Sequence, residues 1–408
     1  MIYQRYADKI LYDDFQIKGN WYAATTPDIK CNGTLEYNGK ISLEVFDSLT
    51  GKSDFTSRFQ SENTPTKFEY IYGVGEQLVT LINSYQSNSR HAGALELTRY
   101  SSSEMVVGVL IDKSTKIQSI GFEYPFVWGP FKSSRRDEES NRYKINVEVN
   151  LDDKITFKIG QTVSTSSSLL SSETYEKEFF KIEWEESTLI EVARKYQKSI
   201  NHFLQLCMGK PVYPSRFGLI INKEQCDYFP HWTYNIKHLA NKFTDSYDAK
   251  IKYFDIKDDF KQIISKWVAL WLKTHEIMFD FFNIFESKIS LETQFTELCN
   301  VSQKFYTATN SDDPAFASKL RWFLALCPAE IKNRIEDNDF VDKIVDTRGY
   351  HVHGDGRPRD HLVTDSRELF GMIHDMISLI EIFLMSQIGI NEICKNQVYQ
   401  KNKTQYVI

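Results

Sequence analysis

The chain has 408 residues, 41% of them hydrophobic, 25% charged and 14% aromatic, which excludes a largely disordered chain and leaves room for two or three domains. Its formal net charge of −6 excludes a global basic field for nucleic acid, so any RNA contact is expected to be local. No stretch approaches about 18 uncharged apolar residues, which argues against a membrane span. The segment Met1–Phe15 lacks the apolar core of a secretory signal. Cys31, Cys207, Cys226, Cys299, Cys327 and Cys394 are scattered without close pairing. A reduced, cytoplasmic protein with no cofactor, no bound metal and no membrane partner is the expectation.

Residues 1–175 read as β-rich. Short apolar runs alternate with turn residues at Asn20–Ala23, Gly33–Tyr37 and Ile41–Phe46, and Asn38-Gly39 between the last two predicts a two-residue hairpin turn. Further strands are expected at Glu69–Tyr72, Leu78–Ile82, Met105–Leu110 and Tyr143–Val149, with a charged loop at Ser133–Ser140. The even spacing predicts an antiparallel sandwich or barrel-like sheet. Residues 176–257 read as a mixed linking segment. It holds an amphipathic helix from Thr188 to Leu206, stopped by Gly209 and Pro211, and a strand at Phe217–Ile221. Residues 258–408 read as an all-α bundle. One long helix is expected over 258–287, then helices near 291–308, 314–326, 336–348 and 365–387. The fold class is therefore α+β.

The segment from Val345 to Asp360 is unusual inside a helical bundle. Phe340, Val341, Ile344 and Val345 form a core stripe. Gly349 is expected to end the helix, with Arg348 in its last turn. Gly354, Gly356 and Pro358 suggest a tight loop, and Asp365 with Glu368 a capping box for the next helix. The glycine break would let Arg348 and His353 converge. Arg offers a planar, permanent cation suited to phosphate, and His moves protons near neutral pH. Metal-independent RNA cleavage needs both, because the ribose 2′-OH attacks the adjacent phosphorus while charge builds on the phosphoryl oxygens. Spacing alone does not carry that claim. With 15 arginines and 9 histidines, chance supplies an Arg-x4-His about 0.3 times, and Arg367 with His374 makes a second pair of similar spacing. A helix-end cation beside a loop histidine is the plain alternative.

Other signals are weaker. Gly73-Val74-Gly75 lacks the rest of a phosphate loop. Cys226, His231 and His238 match no standard zinc spacing. Trp267 and Trp271 read as packing, and Tyr228, Phe229, Trp232 and Tyr234 as a core wall.

The helical half with Thr347-Arg348-Gly349-Tyr350-His351-Val352-His353-Gly354 resembles the HEPN superfamily, specifically the ApeA-like HEPN domain. That superfamily carries Arg-x4–6-His and includes many metal-independent ribonucleases. Leu291–Leu298, with Glu292 ahead of Phe295 and Leu298, is similar to the family's first helix. The first half resembles the ApeA N-terminal domain in the order of Gly19-Asn20-Trp21, Gly33–Tyr37, Val79-Thr80-Leu81 and Phe122–Trp128. The resemblance implies an abortive-infection factor: an endoribonuclease acting on cellular RNA such as tRNA, under the control of an N-terminal domain that answers a phage protein. It assigns Arg348 and His353 as catalytic. Around them His351 reads as a helper, Glu292 as supporting, and Asp346 either as orienting the arginine or as a solvated helix residue. Gly349 stands where members often carry a polar residue. The resemblance also implies a homodimer through the motif-bearing helices, with Arg357 and Arg359 on the RNA-binding rim. A non-catalytic HEPN module that binds nucleotide or a partner, and a sensor scaffold for a phage protein, are the competing readings.

Overall fold

The computed structural model describes residues 11–50, 65–92, 95–124, 143–167, 172–230, 249–287, 289–336, 339–354 and 359–404. The charged loop 133–140, the stretch 125–128, His231, Trp232, Tyr234, His238, Gly356, Arg357 and Pro358 lie outside them.

The strands are β1 (Phe15–Ala23), β2 (Cys31–Tyr37), β3 (Ile41–Phe46), β4 (Lys67–Gly75), β5 (Leu78–Ala92), β6 (Leu95–Val107), β7 (Lys116–Glu123), β8 (Tyr143–Asp152), β9 (Ile155–Ser167), β10 (Ser172–Leu189), β11 (Arg216–Ile221) and β12 (Glu224–Pro230). Their order is β3-β2-β1-β4-β5-β6-β12-β11-β7-β10-β9-β8, and β3 also pairs with β6. The first six strands therefore close on themselves, from Ile41↔Ser102 to Phe46↔Leu97. The far end of β6, Glu104 to Val107, pairs with β12 and carries the same sheet on beyond the barrel. Closure removes edges that would otherwise template aggregation.

Alternation builds the barrel. In β3, Ile41, Leu43 and Val45 point inward and their neighbours outward, the period of a half-buried strand. Trp21 fills the interior and is fully buried. It sits opposite Gly73 on β4, where a Cβ would meet the indole at 2.7 Å, so only glycine admits the ring. The β2–β3 turn takes three residues, since Tyr37 pairs with Ile41. Only Gly39 has positive φ, +84°, so the expected two-residue turn is a longer one with glycine in the left-handed position.

The sheet does not stop at residue 175, which falls inside β10. β11 and β12, from the expected linking segment, insert between β7 and β6 and join the barrel strands to β7, β10, β9 and β8 in one sheet. Between them in sequence from β10 comes α1 (Ile190–Met208), capped by Gly209 at φ +70°. It packs on β7 and β10.

The helical part contains α2 (Tyr253–Ile256), α3 (Phe260–Lys273), α4 (His275–Glu286), α5 (Leu291–Thr309), α6 (Phe316–Ala325), α7 (Ala329–Glu336), α8 (Phe340–His353), α9 (Ser366–Ile388) and α10 (Glu392–Thr404). The expected single helix over 258–287 breaks at Thr274. Its hydroxyl bonds back to the Leu270 carbonyl at 2.8 Å and its backbone leaves helical values, an alternative partner that bends the chain. Trp267 and Trp271 of α3 peg into α1: their indoles donate to the Ser199 carbonyl at 2.8 Å and to His202 Nδ1 at 3.0 Å.

The central helix is α9, packed by α3, α5, α6 and α10. Asp365 caps it by accepting from Arg367 N and Glu368 N, while the Glu368 carboxylate takes Lys343 of α8 at 2.8 Å. In length and composition this helix could cross a membrane, contrary to the sequence expectation, but 72% of its apolar window is buried inside the fold. All six cysteines are buried and free.

Candidate functional site

α8 does not end at Gly349. It runs to His353 and is capped by Gly354 at φ +58°, whose N–H bonds the Tyr350 carbonyl at 3.0 Å. This corrects the expected glycine break. Gly354 has open space around its missing Cβ and adopts the left-handed C-cap, whereas Gly349 is an interior helical residue. Positions 348 and 353 therefore lie about 140° apart around one axis. Nothing is described of the His353 side chain. His351, three residues on, shares a face with Arg348, with Cβ atoms about 5–6 Å apart by helix geometry.

Arg348 is half-buried. Its guanidinium carbon lies 5.0 Å from the centre of the Phe316 ring on α6, a cation–π contact that holds the fork in place. Its Nε is buried without a hydrogen-bond partner among the described residues. Cys299 of α5 lies within its field: burial pushes the thiol up, and the Arg348 charge opposes that.

Gly349 makes room for a second guanidinium. A Cβ there would stand 2.7 Å from the Arg359 Cζ, so Arg359 lies across the bare helix backbone. Two bonds hold the segment that follows. Asp346 Oδ2 accepts the His361 N–H at 3.0 Å, and Thr347 Oγ1 accepts the Val363 N–H at 3.1 Å. Asp346 thus tethers the loop that follows α8. Thr347 is fully buried, and sequence reasoning missed it along with Phe316; a threonine on the core side of a polar motif was the available signal.

His351 is half-buried with its ring 6.3 Å from Phe295 and 5.3 Å from Tyr350. Glu292, exposed at the start of α5, faces it. Its carboxyl is held below the ordinary value by backbone hydrogen bonding and the Ser290 hydroxyl, with the His351 charge adding to both. One end of α8 thus gathers Arg348, Arg359, His351 and Glu292. Beside them Tyr350 and Val352 stand 45% and 44% exposed, apolar surface on the same helix. Among the described residues no group of His, Cys, Asp and Glu could hold a metal ion.

Residues 16–267 match the family described as ApeA N-terminal domain 1. The match covers more than half of the chain, from the barrel into α3, and the chain belongs to that family. Membership places it among abortive-infection, anti-phage defence proteins. No curated protein and no solved structure matches the chain.

Proposed function

We propose that the helical part is a HEPN-type endoribonuclease, cutting cellular RNA without a metal during phage infection. The observation that supports it is the seating of two guanidinium groups at one end of α8, Arg348 against Phe316 and Arg359 over Gly349. Two such forks suit a phosphodiester. In the reaction the ribose O2′ bonds to phosphorus and the P–O5′ bond breaks. A base takes the 2′-proton and an acid returns one to O5′, leaving a 2′,3′-cyclic phosphate. Arg348 stabilises the charge developing on the phosphoryl oxygens. His353 is assigned as a proton carrier, with His351 in support and structured RNA such as tRNA as the substrate class.

Because positions 348 and 353 are about 140° apart on one helix, the reading requires a second copy. A two-fold pairing at this end of α8, covering the exposed Tyr350 on the face of position 353, would bring His353 of one copy toward Arg348 of the other. The β-barrel part would then be the controlling element that answers a phage protein in the cytoplasm.

The test is incubation of the full chain with tRNA in EDTA, with analysis of the product ends. Cleavage leaving cyclic phosphate ends is expected from the wild type. It should be lost in Arg348→Ala/His353→Ala with unchanged thermal unfolding. Cleavage retained by that double variant refutes the assignment.

A further inference from the structure

A cavity of about 490 Å³ lies where the β region meets the helices, far in sequence from α8. One wall is the polar face of α1, with Arg194, Lys195, Lys198 and Asn201. The others come from the loop after α1 (Tyr213), from Phe217 and Tyr228 of β11 and β12, and from Trp271 and Phe279 of α3 and α4. Its volume falls in the range of small-molecule sites, roughly 300–1,000 Å³, and its place at a junction of two parts is the usual one.

The charges in this wall are not equivalent. Arg194 pairs with Glu104 of β6, whose other oxygen accepts from the Tyr228 hydroxyl at 2.9 Å. Lys198 has no such partner: no described carboxylate lies within ion-pair distance of it. Its ammonium sits 5.6 Å from the centre of the Phe279 ring. Burial pulls its pKa down, and the Glu286 charge only partly opposes that. Burial likewise pushes the Glu286 carboxyl up. Among the described charged side chains lining the cavity, Arg194, Lys195 and Lys198 are cations and the exposed Glu191 is the one anion. Asn201 Oδ1 is occupied by the Tyr124 hydroxyl at 2.7 Å, which leaves its amide nitrogen to donate. An unpaired, largely desolvated ammonium costs stability; beside an aromatic face in a cavity, it is a group awaiting an anion.

We infer that this cavity binds a mononucleotide-sized organic anion, its phosphate at Lys198 and Lys195 and its flat ring against Phe279. The walls come from both parts of the chain, so the occupant ties the barrel-bearing region to α3 and α4. None of these residues belongs to the α8 site, and the inference stands apart from the nuclease reading.

The test uses the full chain and titrates AMP, GMP, CMP and UMP, with inorganic phosphate as a separate probe, by calorimetry and thermal unfolding. At least one nucleotide is expected to bind one per chain and raise Tm, more strongly than phosphate. Lys198→Gln should weaken that binding at least tenfold without lowering the Tm of the unliganded protein, because it removes a desolvated cation that Glu286 compensates only in part. Phe279→Leu should weaken the nucleotide but not phosphate. No binding by any nucleotide at millimolar concentration overturns the inference. So does phosphate binding as tightly as every nucleotide, affinity unchanged in Lys198→Gln, or a Tm several degrees lower in unliganded Lys198→Gln.

Discussion

The ion pair of Lys250 and Glu381 joins the segment before α2 to the middle of α9, and its removal has a calculable cost. The two groups lie 2.6 Å apart with side chains 2% and 4% exposed. Lys250 reaches Glu381 by crossing Gly209, where a Cβ would stand 2.7 Å from the lysine Cδ. The other Glu381 oxygen accepts from Asn402 at 2.8 Å. Lys250→Met leaves the buried carboxylate with one neutral donor. Breaking such a pair costs about 3–5 kcal/mol. With an unfolding entropy of about 2.1 cal/mol/K per residue over the whole chain, unfolding as a unit, that is a Tm loss of about 3–6 °C. Replacing both partners, Lys250→Met with Glu381→Leu, removes the stranded charge and should recover most of the loss, a coupling of about 2–3 kcal/mol. Thermal unfolding of the wild type, both single variants and the double variant reads the cycle. A single-variant cost below about 1 kcal/mol, or costs that simply add in the double variant, would show that the pair is not the desolvated, mutually dependent contact described.

Four further outcomes follow from named contacts. Gly349→Ala should leave Tm unchanged or slightly raised, since alanine gains about 0.5–1 kcal/mol in a helix interior, yet should cut RNA cleavage by displacing the Arg359 guanidinium; a large Tm loss with full cleavage would contradict this. Thr347→Val should cost about 1–3 kcal/mol by stranding the buried Val363 N–H, read as a lower unfolding midpoint. Arg348→Lys should keep the fold but lose most cleavage, because a point charge does not replace a planar fork; retention of activity would argue for charge alone. Burial pulls His374 down to about 4, with the Lys250 and Lys403 charges adding. The unfolded state then binds more protons between about pH 6.5 and 4, so this contribution is present above 6.5 and lost as pH falls through that window. His374→Phe should flatten the stability–pH slope there, by about 1–3 kcal/mol in total.

Much of the architecture was legible because period and punctuation are local. Alternation in Ile41–Phe46, the Gly209 stop, the α5 and α9 spans and the helical character around Arg348 all rest on residues a few positions apart, where sterics and hydrogen bonding act directly. Membership of the ApeA family was carried the same way, by the order of short landmarks from Gly19 to Phe122. What the tertiary structure alone decided involves residues distant in sequence. Closure of the barrel depends on β3 meeting β6, which no local pattern encodes. The insertion of β12 and β11 beside β6 turns a linking segment into the seam of the sheet. Gly349 looked like a helix stop because glycine is the usual stop. Instead the helix runs through it and the left-handed cap falls to Gly354; glycine stands at 349 because Arg359, ten residues on, fills the space a side chain would take. The placing of Arg348 against Phe316 and of Lys198 over Phe279 likewise comes from the packing of α8 on α6 and of α1 on α4, helices distant in sequence, a contact free energy summed over the whole core rather than written in either motif.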